Sequence, residues 1–249
     1  MLNIFKKHRT LLGITATNFD FTIKKTRENL RGGIQLKLIR KELNNSTLTF
    51  QLEIINKAGH KYPGGYPSRR LFLHVKVTDS NGKTIFESGK PRSDGSIEGA
   101  DSDQNLTKYE PHYDVITKPD QVQIYEAIMA NTEGNVTYTL LRAAKYLKDN
   151  RLLPSGFDKK TASDDIKVRG NAATDKNFIG GSDKITYKIS GIKRNNYRVK
   201  ITLYYQTLSF AYAQDLFKDL HLKEVRLFHY LWRNADFHVE PVAELKFSN

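Results

Sequence analysis

Alternation of apolar and polar residues is the feature of this 249-residue chain that most restricts its fold. Residues Leu48–Ile54 read LTFQLEI and residues Leu71–Val77 read LFLHVKV, so every second side chain is apolar in both. Because successive side chains of a β-strand point to opposite faces of a sheet, this pattern predicts strands that bury one face. The same alternation begins at Ile34, so we expect a mainly β protein.

Turn sequences indicate how these strands connect. Asn81-Gly82 lies between the Leu71–Val77 strand and the sequence TIFES, and this dipeptide is a strong hairpin signal. The sequence GIKRNN predicts a second hairpin, between the strands DKITYKIS and YRVKITLYYQT. A further strand is expected over Gln121–Met129.

Helical spacing of apolar residues is found in the second half of the chain. A stripe of leucine and alanine predicts a helix over Leu140–Lys148, and residues 211–234 carry a second stripe. These elements together predict a β-sandwich of immunoglobulin-like style, with one or two helices toward the C-terminus. We expect one domain over residues 30–249, after a poorly defined segment over residues 1–29.

Charge and cysteine content limit the functions that the chain can have. The formal net charge is +13, which attracts anionic partners such as acidic proteins or the propionates of haem. No cysteine is present, which excludes disulfides, thiolate metal sites, cysteine nucleophiles and the Cys-x-x-Cys-His attachment of haem c. No nucleic-acid-binding motif is found, and no apolar run approaches the about 18 residues that span a bilayer.

Enzyme motifs are also missing from the sequence. The histidines include no His-Glu-x-x-His pair, no Gly-x-Ser-x-Gly is present, and the Gly-Gly pairs lack the spacing of a phosphate-binding loop. We therefore expect the protein to be non-catalytic.

An acidic stretch is the one candidate for a calcium site. Asp101, Asp103 and Asn105 stand at alternate positions, as at the start of an EF-hand loop. The sixth position of such a loop requires glycine but is Leu106 here, and the alternative interpretation is a solvated acidic turn.

Glu126 is a candidate for a buried charge, since it shares a predicted strand face with apolar residues such as Ile124 and Ile128. A buried carboxylate needs a partner, and Arg69 or Arg70 are the candidates. A structural ion pair is favoured over a catalytic role.

The sequence NKAGHKYPGGYPSRR at residues 56–70 is too long and too rich in functional groups for a simple hairpin loop. Pro63 and Pro67 stiffen it, and Gly64-Gly65 allows another group to approach the backbone closely. His60 is therefore either a structural histidine or a ligand for an external metal or haem iron.

Residues 56–89 resemble the Asn-x-x-Gly-His-(Lys/Arg)-x-Pro-x-Gly-(Phe/Tyr)-Pro-x-Arg-Arg signature in the C-terminal domain of a family of multihaem c-type cytochromes. Similar blocks follow in order at residues 109–129, 136–158 and 177–189. In that family the haems lie in an N-terminal half rich in Cys-x-x-Cys-His, which this chain lacks.

The resemblance implies a β-rich module without covalently bound haem that packs against a haem-bearing cytochrome subunit or domain. It implies a haem contact or partner interface at His60, Lys61, Tyr62, Arg69 and Arg70, with His60 as a candidate distal ligand of the haem iron. It also implies a place in an electron-transfer system of the periplasm or cell envelope. The alternative is an independent cell-envelope domain that binds a glycan or an anionic surface through exposed aromatic residues such as Tyr62 and Tyr66.

Overall fold

The computed structural model describes residues 2–192 and 197–249. Five α-helices are found in these residues: α1 (Leu2–Lys7), α2 (Phe19–Gly32), α3 (Asp101–Gln104), α4 (Phe210–Leu216) and α5 (Lys223–Arg233). The strands are β1 (Ile34–Asn44), β2 (Thr47–Asn56), β3 (Arg70–Asp79), β4 (Thr84–Ser88), β5 (Val115–Ile116), β6 (Ile124–Tyr125), β7 (Ala127–Ala130), β8 (Val136–Thr137), β9 (Lys145–Asp149), β10 (Ser182–Ser190), β11 (Tyr197–Gln206) and β12 (Glu240–Ser248).

The strands form three sheets. One has four strands in the order β1-β2-β10-β5, and the second has the order β12-β11-β3-β4 with β6 paired to β3. The third is the small sheet β8-β7-β9. The protein is therefore mainly β with a few helices, and the described strands form no closed barrel.

One apolar core lies between the two larger sheets. Buried side chains of β2 and β10 meet those of β3 and β11 in a single cluster. The alternating apolar residues of Leu48–Ile54 are fully buried, as the sequence pattern predicts. An immunoglobulin-like style is not confirmed, because that fold has two antiparallel sheets whereas β10 pairs with β5 in parallel and a third sheet is present.

The two predicted hairpins have different outcomes. β3 and β4 pair antiparallel around Asn81-Gly82, which confirms the first. The second is wrong, because β10 pairs with β2 whereas β11 pairs with β3 and β12. Residues 193–196 of the predicted turn lie outside the described residues. β10 and β11 thus belong to different sheets, and both bury a face in the same core.

The helix predicted over Leu140–Lys148 is also wrong. Residues Leu140–Arg142 make one 3-10 turn, and β9 then pairs with β7. Leu141, which the helical stripe would have buried, is 99% exposed. Tertiary pairing with β7 has overridden the local spacing here. The predicted C-terminal helices are confirmed as α4 and α5, but β12 was not anticipated.

The N-terminal segment that the sequence left undefined contains α1 and most of α2, which ends at Gly32. Arg27 and Arg31 of α2 both contact Glu240 at the start of β12, at 2.7 and 3.2 Å. None of the helices in the described residues is long and apolar enough to cross a membrane.

Candidate functional site

The loop between β2 and β3 is held in shape by Asn56. The side-chain nitrogen of Asn56 donates to the carbonyls of His60 and Leu152, and its oxygen accepts from the backbone N–H of Ala58. Asn56 is 3% exposed, so these bonds are shielded from water. Backbone hydrogen bonds between Tyr62 and Leu152 then fix the next part of the loop.

This loop forms one wall of an open cleft of about 760 Å³, and the C-terminal end of α2 lines the opposite side. Five basic side chains line the cleft: Lys57, His60, Lys61, Arg69 and Arg151. The structure thus brings together four of the residues predicted for the site, namely His60, Lys61, Tyr62 and Arg69.

Two of the cations in the cleft share one carboxylate of the protein. Lys61 Nζ lies 2.7 Å from Asp149 Oδ2, and Arg151 Nη2 lies 2.7 Å from the same oxygen. Asp149 is 1% exposed. Burial lowers the pKa of Lys61, although the negative charge of Asp149 opposes this effect. Lys61 and Arg151 therefore hold the loop to β9, and together with Asp149 they leave one net positive charge at the cleft.

His60 has a fixed orientation and tautomer. Its Nδ1 lies 2.8 Å from the carbonyl oxygen of Lys61, and because a carbonyl only accepts, Nδ1 carries the proton and donates. Nε2 then bears the lone pair and has no hydrogen-bond partner among the residues that the structure describes. The ring packs on Gly64, where a Cβ would lie 2.7 Å from the imidazole. An outward Nε2 whose Nδ1 donates to a carbonyl is the arrangement found in metal-binding histidines.

Tyr62 is part of the wall of the cleft and not an exposed aromatic platform. It is 5% exposed, its hydroxyl donates to the carbonyl of Leu30, and burial raises its pKa well above the usual range. Tyr66, in contrast, is 46% exposed.

The two adjacent arginines of the loop have different surroundings. Arg69 Nη1 donates to the carbonyl of Gly64, and its side chain lines the cleft. Arg70 is fully buried, donates two hydrogen bonds to the carboxylate of Asp103 and one to Gln206, and does not line the cleft. A haem contact by Arg70 stays a prediction. The burial of its side chain does not favour such a contact.

The buried carboxylate of Glu126 is confirmed, but its partner is a residue that the sequence did not suggest. Lys148 Nζ lies 3.0 Å from Glu126 Oε1, and both are buried. The sequence placed Lys148 in a helix, so its position in β9 beside β7 could not be anticipated.

The three calcium candidates serve three different contacts. Asp103 binds Arg70 and the backbone N–H of Ile97, whereas Asn105 accepts from Thr107. Asp101 begins α3, and its backbone N–H donates to Glu110. Calcium binding here stays a prediction that these contacts do not favour.

A second cluster of functional groups, which sequence reasoning missed, lies in the interior. His112 Nε2 is 3.3 Å from Asp175 Oδ2 and 3.7 Å from Asp183 Oδ2. His112 and Asp183 are buried, and His112 Nε2, Asp175 Oδ2 and Asp183 Oδ1 have no hydrogen-bond partner in the described part of the chain. A histidine with two carboxylates is a ligand set that a divalent cation can use.

The amide groups around His112 determine which of its nitrogens carries the proton. Nδ1 lies 2.9 Å from Gln123 Nε2 and 3.1 Å from Asn150 Nδ2. The backbone N–H groups of Tyr113 and Glu126 donate to the oxygens of these two amides, which turns both NH₂ groups toward Nδ1. Nδ1 must therefore accept, and Nε2 carries the proton in the neutral ring.

This tautomer is unsuited to metal binding, because a neutral imidazole binds a cation through its unprotonated nitrogen. Burial raises the pKa of Asp183 to about 6, and the hydroxyl of Tyr125 donates to its Oδ2 at 2.7 Å.

Comparisons with known proteins identify a related fold but no family. No family model and no curated protein matches the chain. A solved structure that is similar is that of a penta-heme cytochrome c552 from Thermochromatium tepidum, with 14% sequence identity and a TM-score of 0.51. The match covers 90% of this chain and 41% of that cytochrome, so the chain spans less than half of the neighbour's length. The fold of this chain is therefore similar to that of part of this cytochrome, although the chain has no cysteine and cannot attach haem c covalently.

Proposed function

We propose that this chain is a non-catalytic module that packs against a haem-bearing protein or domain of an electron-transfer system in the cell envelope. The contact is the basic cleft at the His60 loop. The observation that carries the proposal is the orientation of His60, whose lone pair on Nε2 faces outward while Nδ1 is bound to the Lys61 carbonyl. Support comes from a fold shared with part of a penta-heme cytochrome.

The charge of the cleft suits the edge of a haem. Arg69 donates only to a neutral carbonyl there and faces no carboxylate among the described residues, so its remaining N–H groups can bind a propionate. His60 Nε2 supplies an axial ligand to the iron that the partner carries. Lys61 and Tyr62 hold the loop in place, since both side chains are bound within the protein.

A spectroscopic titration tests the proposal. Ferric haem, or a c-type cytochrome produced together with this chain, is mixed with the purified protein, and the Soret band is recorded. We expect a shift to a low-spin spectrum that is lost in His60→Ala and kept in His221→Ala, a matched change at a histidine whose side chain is 71% exposed. An unchanged Soret band with the wild-type protein, or a shift that survives in His60→Ala, would contradict haem ligation by His60.

The alternative function is binding of a glycan or anionic surface by an independent domain. The exposed ring of Tyr66 is the observation that favours it, since stacking on a sugar needs an accessible aromatic face. Retention on a polysaccharide column that Tyr66→Ala abolishes, without any co-purifying cytochrome, would favour this function.

A further inference from the structure

A second cavity adjoins the basic cleft and has a different character. It has a volume of about 390 Å³ and lies between α1, α2 and the residues that lead into β12. Its walls are largely apolar and include Ile4, Ile23, Trp232, Phe237 and Val239. We call it the apolar chamber. Its volume is within the ~300–1,000 Å³ of ordinary small-ligand sites.

The apolar chamber and the basic cleft meet at four shared residues: Asn29, Leu30, Arg69 and Tyr205. The other charged pair of the chamber wall is Arg27 and Glu240, which lie 2.7 Å apart. Arg69, as described above, has no carboxylate partner in the described residues. Burial raises the pKa of Tyr205, and the nearby Arg69 charge partly opposes this, so the phenol stays protonated and is a second donor at the boundary.

We propose that this boundary binds a free single-chain amphiphile with a carboxylate head, such as a medium-chain alkyl carboxylate. The head accepts hydrogen bonds from Arg69, and the alkyl chain occupies the apolar chamber. The anionic head would pair with the charge of Arg69, and the alkyl chain would bury apolar surface against Ile4, Ile23 and Trp232.

This inference concerns a site that shares Arg69 with the proposed haem contact, but it does not rest on haem ligation by His60. The apolar chamber does not include His60, so the amphiphile and haem can be distinguished experimentally. A protein that fails to shift the Soret band can still bind the alkyl carboxylate, and the reverse also holds.

A chain-length series is the first test, with octanoate, decanoate and dodecanoate titrated by calorimetry below their micelle concentrations. Each methylene that enters an apolar site tightens binding about fourfold, until the chamber is filled. Dodecanol, which lacks the anion, should bind at least about tenfold more weakly than dodecanoate. Affinity independent of chain length, or equal for acid and alcohol, would overturn the proposal.

Two pairs of variants locate the ligand. Arg69→Gln should weaken dodecanoate binding by about tenfold or more and leave dodecanol unchanged, whereas Lys57→Gln, which removes the same charge from the far part of the cleft, should have little effect. Thr26→Trp should block the chamber, and Thr22→Trp on the same helix should not, because Thr26 alone of the two lines it. Both threonines are exposed on α2, so the fold should tolerate either change.

Two further measurements separate this site from the haem contact and distinguish a free alkyl carboxylate from a membrane lipid. His60→Ala should leave dodecanoate binding unchanged. Binding to anionic phospholipid vesicles without any affinity for free dodecanoate would mean that the surface meets a membrane, and would refute the proposed occupant.

Discussion

His60 and His112 are both held through Nδ1, but by partners of opposite polarity. At His60 the partner is a carbonyl oxygen, so Nδ1 donates and Nε2 keeps its lone pair. At His112 the partners are two amide NH₂ groups, so Nδ1 accepts and Nε2 carries the proton. In both residues the partner of Nδ1 decides whether Nε2 has a lone pair for a metal. This matters more than the residues that surround Nε2 itself.

The two histidines are supported by neighbouring residues of the same strand end. Asp149, the last residue of β9, binds Lys61 of the His60 loop, and Asn150 binds His112. Asp149 thus stabilises the solvent-accessible cleft, and the next residue, Asn150, stabilises the interior cluster. The sites can therefore be perturbed separately, which the following predictions use.

The largest difference is expected from removing each imidazole. His112→Ala should lower the free energy of unfolding by about 3–5 kcal/mol, because it opens a buried cavity and leaves two buried amides without their acceptor. His60→Ala should lower it by less than about 0.5 kcal/mol, since that ring is exposed. Urea unfolding followed by circular dichroism measures both, and similar losses would mean that the two sites are not distinct in burial.

The support of the loop should respond strongly to Asp149→Asn. This change leaves Lys61 and Arg151 without the buried carboxylate that pairs both, which should cost about 3 kcal/mol of unfolding free energy. Asp164→Asn is the control, since that carboxylate is 83% exposed and its loss should leave the free energy of unfolding nearly unchanged. Nuclear magnetic resonance should show altered signals for His60 and little change for His112; the opposite pattern would contradict separate support.

The proton of the buried cluster should appear as a pH dependence of stability. The pKa of Asp183 is about 6 in the folded protein, above its ordinary value, so its contribution to stability is present in acid and is lost as the pH rises through about 6. Relative to Asp183→Asn, the wild-type free energy of unfolding should fall by about 2–3 kcal/mol between pH 4 and pH 7.

Asparagine keeps an oxygen that accepts from Tyr125 and cannot ionise, which makes it the matched variant. Glu110, whose pKa burial raises to about 7, titrates over part of the same range in both proteins and cancels from the difference. Parallel pH profiles for the two proteins would show that Asp183 does not hold the proton.

The smallest difference between the two histidine sites is expected from Gly64→Ala. The added Cβ would meet the His60 ring and displace it from the Lys61 carbonyl, at a cost of less than about 1 kcal/mol because the ring can move into solvent. The fraction of His60 with a proton on Nδ1, measured from its nitrogen-15 chemical shifts, should fall while that of His112 stays unchanged. An unaltered tautomer at His60 would show that packing on Gly64 does not orient the ring.

The sequence by itself determined the features that depend on neighbouring residues. Alternation identified β2 and β3, and Asn81-Gly82 identified the hairpin of β3 and β4. The composition of residues 56–70 marked the His60 loop as unusual. These signals are local because side-chain direction in a strand and backbone geometry in a turn are set within a few residues. Asn56, at the start of the loop, likewise holds the first residues of the loop through its bonds to Ala58 and His60.

Only the tertiary structure decided the features that depend on distant residues. Lys145–Asp149 forms a strand because it pairs with β7. Arg70 pairs with Asp103 and not with Glu126, since the packing of separate segments decides which carboxylate reaches it. His112, Asp175 and Asp183 carry no sequence signal, since three separate segments bring them together. The tautomers that distinguish His112 from His60 follow from single hydrogen-bond partners, and such partners are chosen only when the whole chain is packed.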